Sequence, residues 1–218
     1  MSDTKLAFIL RFKAWIVAGI IILLVVNFMP LFSIVPLHAT QQKNLVAQFD
    51  AKSYVARFWQ EDLQEAVKTA VDATVLLDLM QTKPADAAKR YGHRLGLSSS
   101  VTYFVKGQGT VVFFEDGIVG LSLHDNDLVM VEIDTGPIFG NAVRDGSGVL
   151  SISDFANTQD FNAVSAEINL QVEQEVLPLA VNNGKVGSLL YFVGAVEVND
   201  FETTPTVLSL VPVVIEAL

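Results

Sequence analysis

The sequence contains no cysteine. Disulfide bonds, thiolate metal sites and cysteine nucleophiles are therefore excluded, and so is a lipid attached through an N-terminal cysteine. A chain without these cross-links must be stabilised by packing, and 51% of its 218 residues are hydrophobic. The roughly 180 residues that follow the N-terminal region are enough for one ordinary domain with its own core.

Basic residues are scarce beyond the N-terminal region. From residue 40 onward the chain has 11 lysines and arginines against 23 aspartates and glutamates, a formal net charge of −12. Such a field repels nucleic acid and anionic lipid headgroups. We therefore expect no nucleic-acid partner, and an acidic surface that keeps the domain soluble is more typical of this composition than a cation site.

Residues 14–37, AWIVAGIIILLVVNFMPLFSIVPL, contain no charged side chain. A helix of this length, at about 1.5 Å per residue, can cross a hydrocarbon core of roughly 30 Å. Lys5, Arg11 and Lys13 precede the run, and a positive flank stays in the cytoplasm. The sequence therefore predicts a cytoplasmic segment 1–13, a single-pass membrane anchor at 14–37, and an exported remainder.

A cleavable signal peptide is the alternative, because it also has a basic start and an apolar stretch. Its cleavage site should follow a small-x-small pattern, and the best candidate, Leu37-His38-Ala39, begins with a large residue. The retained anchor is favoured, and cleavage stays open.

Residues 40–96 have the pattern of a helical neck. Asp50 is placed as an N-cap of a first helix that extends to Ala70, Asp72 to Met80 can form a second helix, and Pro84 is placed in the first turn of a third. The first helix has one apolar face, made by Tyr54, Val55, Phe58, Trp59, Leu63, Ala66, Val67 and Ala70.

Residues 97–218 change to the pattern of strands. Three strands (VTYFVKGQGTVVFFE, IVGLSLHD and DLVMVEI) are followed by one helix that ends near Pro178 and by two more strands (SLLYFVGAVEV and TVLSLVPVVIE). This order predicts an α+β chain whose main domain is an OB-like five-stranded β-barrel with one helix between strands three and four. Another small barrel or an α+β sandwich is the alternative. The helix should bury Val164, Ile168, Val172 and Val176.

Several turns are predicted around these strands. Asp116-Gly117 is a hairpin signal, and Asp125-Asn126-Asp127 favours a turn before the third strand. Gly107 and Gly109 are predicted to be bulge or bend points in the first strand, which must curl to pair along both of its edges.

Five segments together resemble the bacterial family of predicted periplasmic lipoproteins of unknown function. They are FDAKSYVARFW at 49–59, KGQGTV at 106–111, TGPIFGNAVRD at 135–145, FANTQDFNAVSAEIN at 155–169 and KVGSLLYFVGAVEVN at 185–199. Members of that family are often encoded beside sugar-type ABC uptake transporters, so the resemblance implies an accessory of solute uptake. One departure is that this chain has no cysteine to lipidate, so its hydrophobic run must provide the anchor.

The polar loop predicted at 135–163 is the candidate site. Its Asn, Asp and Arg side chains among aromatic residues suit a sugar or polyol. Phe139, Phe155 and Phe161 are expected to hold the loop on the domain. In the alternatives Arg144 forms an internal ion pair while Asn and Asp cap turns, or the loop docks a protein. The candidate ligand-binding residues are Phe139, Asn141, Arg144, Asp145, Asp154, Asn157, Gln159 and Asn162.

The first functional hypothesis is a non-enzymatic, membrane-anchored periplasmic accessory or binding domain that works with an ABC-type uptake system. The second is a scaffold that docks on an integral membrane partner through exposed Phe58 and Trp59 beside the membrane. The weakest is a hydrolase with Asp145, Asp154 or Glu167 as acid and base. No metal spacing or cofactor motif is present, so neither is predicted.

Overall fold

The computed structural model describes residues 49–96, 98–124, 128–198 and 205–218. The predicted cytoplasmic segment 1–13, the predicted anchor 14–37 and the turn at 125–127 lie outside these residues, as does the start of the predicted neck before Phe49. Within the described ranges, no helix has both the length and the apolar character needed to cross a membrane.

Four helices open the described chain: α1 (Ala51–Gln60), α2 (Asp62–Thr69), α3 (Ala73–Thr82) and α4 (Pro84–Tyr91). The side chains of Asp50 and Asp72 cap α1 and α3, each accepting a hydrogen bond from a backbone N–H of the first turn. The first predicted helix is wrong in its length, because the helix is interrupted at Glu61 and α2 begins as a separate helix at Asp62.

Five long strands follow, and two short ones pair with the first of them. The long strands are β3 (Val101–Glu115), β4 (Ile118–Ser122), β5 (Val131–Asp134), β6 (Leu189–Val198) and β7 (Leu208–Ala217). The short strands are β1 (Val71–Asp72), parallel to β3, and β2 (Gly92–His93), antiparallel to it. Neither short strand was predicted, because two residues contain no alternating pattern.

The long strands pair in the order β3-β4-β5-β7-β6, and β6 pairs back onto β3. Among the described long strands only β5 and β7 are parallel, over a short register that joins Val131 to Leu208. Strand β3 can pair on both edges because its first part lies against β6 and its last part against β4, with Thr110 in both registers. The mixed α+β class and the predicted order of strands are confirmed.

Two predicted details of β3 have different outcomes. The hairpin at Asp116-Gly117 is confirmed, since both residues have positive φ, 51° and 79°. A bulge at Gly107 or Gly109 is wrong, because both glycines pair regularly with β6 and the register shifts instead between Val111 and Phe113. A bend at these glycines stays a prediction. Gly107 has a packing role: an added Cβ would lie 2.8 Å from Cζ of Phe192.

The segment between β5 and β6 is more ordered than predicted. It contains α5 (Ala142–Gly146), a 3₁₀ turn (Ile152–Asp154), α6 (Thr158–Gln171), a π-helical turn (Val172–Val176) and α7 (Leu177–Asn183). The prediction of a helix that ends near Pro178 is wrong, because Pro178 lies in the first turn of α7, where its missing N–H is tolerated. The predicted apolar face is confirmed, with Val164, Ile168, Val172 and Val176 buried.

The helices of residues 51–91 share their core with the sheet. Val55 and Phe58 of α1 and Leu76 and Leu77 of α3 belong to the same buried cluster as the strand residues. Phe49 to Leu218 form one compact unit. The predicted boundary at residue 97 therefore divides a single unit, and these helices do not form a neck apart from it.

Candidate functional site

Arg144 lies on the inner side of the predicted polar loop, in α5. Its side chain is 2% exposed, and its Nε donates to Oδ1 of Asp145 at 2.7 Å. Its Nη1 lies 3.4 Å from both the Phe161 carbonyl and Oδ1 of Asn162, and the guanidinium stacks 3.7 Å above the Phe161 ring. A guanidinium satisfied in this way holds α5 against α6.

An aromatic cluster continues outward from Phe161. The Phe155 ring lies 5.1 Å from that of Phe161, 5.2 Å from that of Tyr54 and 5.7 Å from that of Phe49. Burial, with the negative charge of Asp154 adding to it, raises the pKa of Tyr54 and keeps its phenol neutral. The start of α1 is thereby packed against the segment before α6, and Phe155 and Phe161 hold this segment as predicted.

Phe139 does not take part in this packing. Its side chain is 86% exposed at the tip of the loop between β5 and α5. The prediction that it holds the loop on the domain is therefore wrong, and its ring is available to another molecule.

A cleft of about 670 Å³ separates this loop from α6. Phe139 and Leu170 are exposed on its apolar side, and Ala51 at the start of α1 closes one end. The polar side chains on its walls are Asn141, Asn162, Ser165, Glu167, Asn169 and Glu173.

The loop is held to the helix by two polar contacts. Asn169 Nδ2 donates to the Gly140 carbonyl at 3.0 Å and lies 3.5 Å from the Ile138 carbonyl. The backbone N–H of Ile138 donates to Glu173 Oε1 at 2.7 Å. Glu173 lies in the π-helical turn, a feature that often occurs at functional sites. Together these contacts fix the backbone on both sides of Phe139.

The eight predicted site residues divide into three groups. Phe139, Asn141 and Asn162 line the cleft. Arg144 and Asp145 form the inner ion pair, so the predicted alternative of an internal salt bridge matches their geometry. The remaining three lie outside the cleft lining: Asp154 accepts from the Ser151 N–H, Asn157 caps α6, and Gln159 is exposed on the first turn of α6. A ligand-binding role for the eight stays a prediction.

Three cleft residues were missed by the sequence analysis. Ser165, Asn169 and Glu173 recur every four residues and so share one side of the helical run. That spacing is a signal present in the sequence, and a polar stripe beside a predicted loop could have identified them.

The features expected for a scaffold or a hydrolase have other roles. The predicted exposure of Phe58 is wrong, because Phe58 is 0% exposed, and Trp59 packs partly buried against the core. The carboxylates of Asp145 and Asp154 are engaged by Arg144 and by the Ser151 N–H. Across the part of the chain that the structure describes, no three His, Asp or Glu side chains are grouped so as to hold a metal ion.

Comparisons with known proteins identify the family and the fold. The model of a family described as "Predicted periplasmic lipoprotein (DUF2291)" matches residues 20–216. A crystal structure of an OB-fold protein from Thermotoga maritima is similar with a TM-score of 0.70 and 25% sequence identity, over 79% of this chain and 100% of that chain. No curated protein sequence matches. The resemblance to predicted periplasmic lipoproteins and the OB-type strand order are thus confirmed.

Proposed function

Because this chain belongs to the family of predicted periplasmic lipoproteins, we propose that it is a non-enzymatic, membrane-anchored periplasmic binding domain that assists the uptake of a polyhydroxylated solute. The observation that carries the proposal is the cleft between the Phe139 loop and α6. Family membership supports a periplasmic, membrane-associated location.

The cleft has the chemistry that a sugar or polyol requires. Phe139 offers an exposed ring for the apolar face of a sugar, and the amides of Asn141 and Asn162 offer donors and acceptors for hydroxyl groups. Its volume lies within the roughly 300 to 1,000 Å³ typical of small-molecule sites. Asn169 and Glu173 already hold the backbone of the loop in place. A ligand could therefore bind to the side-chain amides of the cleft without a rearrangement of the loop.

A binding role is supported over an enzymatic one by the way the carboxylates are used. A hydrolase of the kind considered above needs two carboxyl groups facing one substrate. Asp145 and Asp154 are engaged in contacts that stabilise the fold, which leaves Glu167 as the remaining candidate of that set. We therefore assign no catalytic residue and no cofactor.

The anchor in this proposal is the uncharged run 14–37, inserted in the bacterial inner membrane with residues 1–13 in the cytoplasm. The run replaces a lipid, because the sequence has no cysteine to carry one. The proposed partner is a component of an ABC-type uptake transporter in the same membrane. Nucleic acid is not a proposed partner, given the net charge of −12 beyond residue 39.

Membrane fractionation of cells that express the full-length chain tests the anchor. The protein should stay in the membrane after washing with carbonate and with high salt, and its N-terminal sequence should begin at or near Met1. A mature N-terminus near Thr40 would show that the segment is cleaved and would remove the anchor from the proposal.

A thermal-shift screen of neutral and charged sugars and polyols on the full-length protein tests the binding role. A ligand that binds only the folded state should raise the midpoint of unfolding. Phe139→Ala should abolish the shift without changing the midpoint of the free protein, because the ring is 86% exposed. Val186→Ala, which truncates a hydrophobic side chain that is 70% exposed and lies outside the cleft lining, is the control and should keep the shift. The proposal of a polyhydroxylated solute would be overturned if no sugar or polyol, neutral or charged, raised the midpoint.

A further inference from the structure

The walls of the cleft carry charge of one sign. Of the side chains that line it, Glu167 and Glu173 are acidic, and none is lysine, arginine or histidine. The nearby Arg144 does not offset them, since its guanidinium is buried and paired with Asp145 at 2.7 Å. The local field therefore disfavours anionic solutes.

The two glutamates differ in how they are used. Glu173 accepts a hydrogen bond from the Ile138 N–H through Oε1 and so helps to hold the loop. Glu167 is half-buried, and within the described part of the chain it makes no hydrogen bond or ion pair. Its carboxylate is therefore free to pair with a group that enters the cleft.

A second polar group of the cleft lining lacks a partner, two residues before Glu167 on α6 and therefore facing another way. Ser165 is 4% exposed, and its Oγ is a buried side-chain oxygen without a hydrogen bond in the described structure. Buried hydroxyl groups are nearly always hydrogen-bonded, so an unpartnered one beside a cleft indicates that a ligand or bound water completes it. The hydroxyl oxygen can accept a hydrogen bond from a donor group of the ligand other than the one that pairs with Glu167.

From these observations we infer that the solute bound in the cleft carries a protonated amine. The ammonium group lies against Glu167, and the exposed Phe139 ring contributes a cation–π contact. This inference rests on the proposed function and makes it more specific, because an ammonium group offers Glu167 a charge-assisted hydrogen bond, which is stronger than the bond that a neutral hydroxyl group donates.

Three compounds with the same ring test it: glucosamine, glucose and glucuronate, which are cationic, neutral and anionic at about pH 6. Calorimetric titration of the full-length protein should give glucosamine an affinity at least about tenfold higher than glucose, as one charge-assisted hydrogen bond allows. Glucuronate should bind more weakly than glucose. Glu167→Gln should remove the preference for glucosamine, whereas Glu175→Gln, a control carboxylate on the same helical run but outside the cleft lining, should retain it.

The outcomes separate this inference from the proposed function. Equal affinities for glucose and glucosamine in the wild type would overturn the inference and leave the polyol proposal standing. If none of the three compounds binds, choline decides the matter, since it carries the cation without the sugar ring. Choline binding that Glu167→Gln abolishes would support a cation site and overturn the polyol proposal, whereas no choline binding would overturn both.

Discussion

The segment between β5 and α6 has an inner side, packed against the domain, and a cleft side, and charged and aromatic residues have different roles on the two. On the inner side, Arg144 is 2% exposed and is bonded to Asp145 and to the Phe161 carbonyl. On the cleft side, Phe139 is 86% exposed and Glu167 has no partner in the described chain. The inner contacts join α5 to α6, while the cleft side presents groups that the fold does not need.

This difference shows that residue type alone does not identify a binding residue. An arginine whose Nε and Nη1 already donate hydrogen bonds inside the fold would have to break those bonds to meet a ligand. A half-buried glutamate without a partner can pair with a ligand without breaking a hydrogen bond inside the fold. The side on which a side chain lies, and what it already contacts, therefore separate the structural residues from the candidate ligand residues.

The largest expected effect comes from breaking the inner ion pair. Arg144→Ala should lower the free energy of unfolding by about 3 to 5 kcal/mol, because it leaves the carboxylate of Asp145 partly buried and unpaired. Arg57→Ala is the matched control: Arg57 is exposed and stacks 5.4 Å from the Tyr54 ring, so its loss should cost about 1 kcal/mol or less. Urea unfolding of the full-length protein measures both.

A double variant sharpens this result. Adding Asp145→Ala to Arg144→Ala removes the stranded charge and should recover part of the lost stability. If Arg144→Ala costs no more than Arg57→Ala, Arg144 is not structural, and the two sides of the segment do not differ as described.

A smaller loss of stability is expected from substituting two glycines, Gly146 on the inner side of the segment and Gly140 on its cleft side. Gly146→Ala should lower the free energy of unfolding by about 1 to 3 kcal/mol, because its Cβ would lie 2.8 Å from Cγ2 of Thr102. Gly140 has open space around it but a φ of +90°, so Gly140→Ala should cost about 1 to 2 kcal/mol of backbone strain.

Asparagine at the same positions distinguishes the two causes. Asn tolerates positive φ better than Ala, so Gly140→Asn should be less destabilising than Gly140→Ala. Gly146→Asn should be more destabilising than Gly146→Ala, because the larger side chain increases the clash with the sheet. The same order of Ala and Asn at both positions in thermal unfolding would contradict this account.

The main strands could be predicted from the sequence because their signals are local. Asp116-Gly117 has the turn chemistry of a two-residue hairpin, and Val164, Ile168 and Val172 repeat at helical spacing. Each of these features depends on neighbours within about ten residues, which a single sequence displays.

The remaining features depend on contacts between distant parts of the chain. Strands β1 and β2 exist because β3 offers them an edge, and Gly107 is required by the ring of Phe192 on another strand. A π-helical turn ends at Val176, and Pro178 then lies in the first turn of α7, where proline is tolerated. At the site, Arg144 could be identified as a donor, but its inward direction is set by Phe161, 17 residues away.

A modest effect is expected from releasing the cleft loop. Asn169→Ala removes the donor to the Gly140 carbonyl, so it should lower the free energy of unfolding by about 1 kcal/mol. Hydrogen exchange at residues 138–140 should become faster, because the loop loses one of its two attachments to the helix. Gln159→Ala, at an exposed position of α6, should change neither quantity. Unchanged exchange in Asn169→Ala would show that the loop is held by other contacts.

The smallest expected effect is a pH dependence at the inner end of the segment, where the His93 ring lies against Gly148. Burial lowers the pKa of His93 below its ordinary value of 6.5. The unfolded chain therefore binds more protons than the folded one between the folded-state pKa and about 6.5, and stability rises with pH through that window and levels off above it. His93→Asn cannot titrate, so its free energy of unfolding should change less than that of the wild type as the pH falls from 7 to about 5.5. A wild-type stability that is flat over this range, or a variant with the same slope as the wild type, would show that His93 has no part in it.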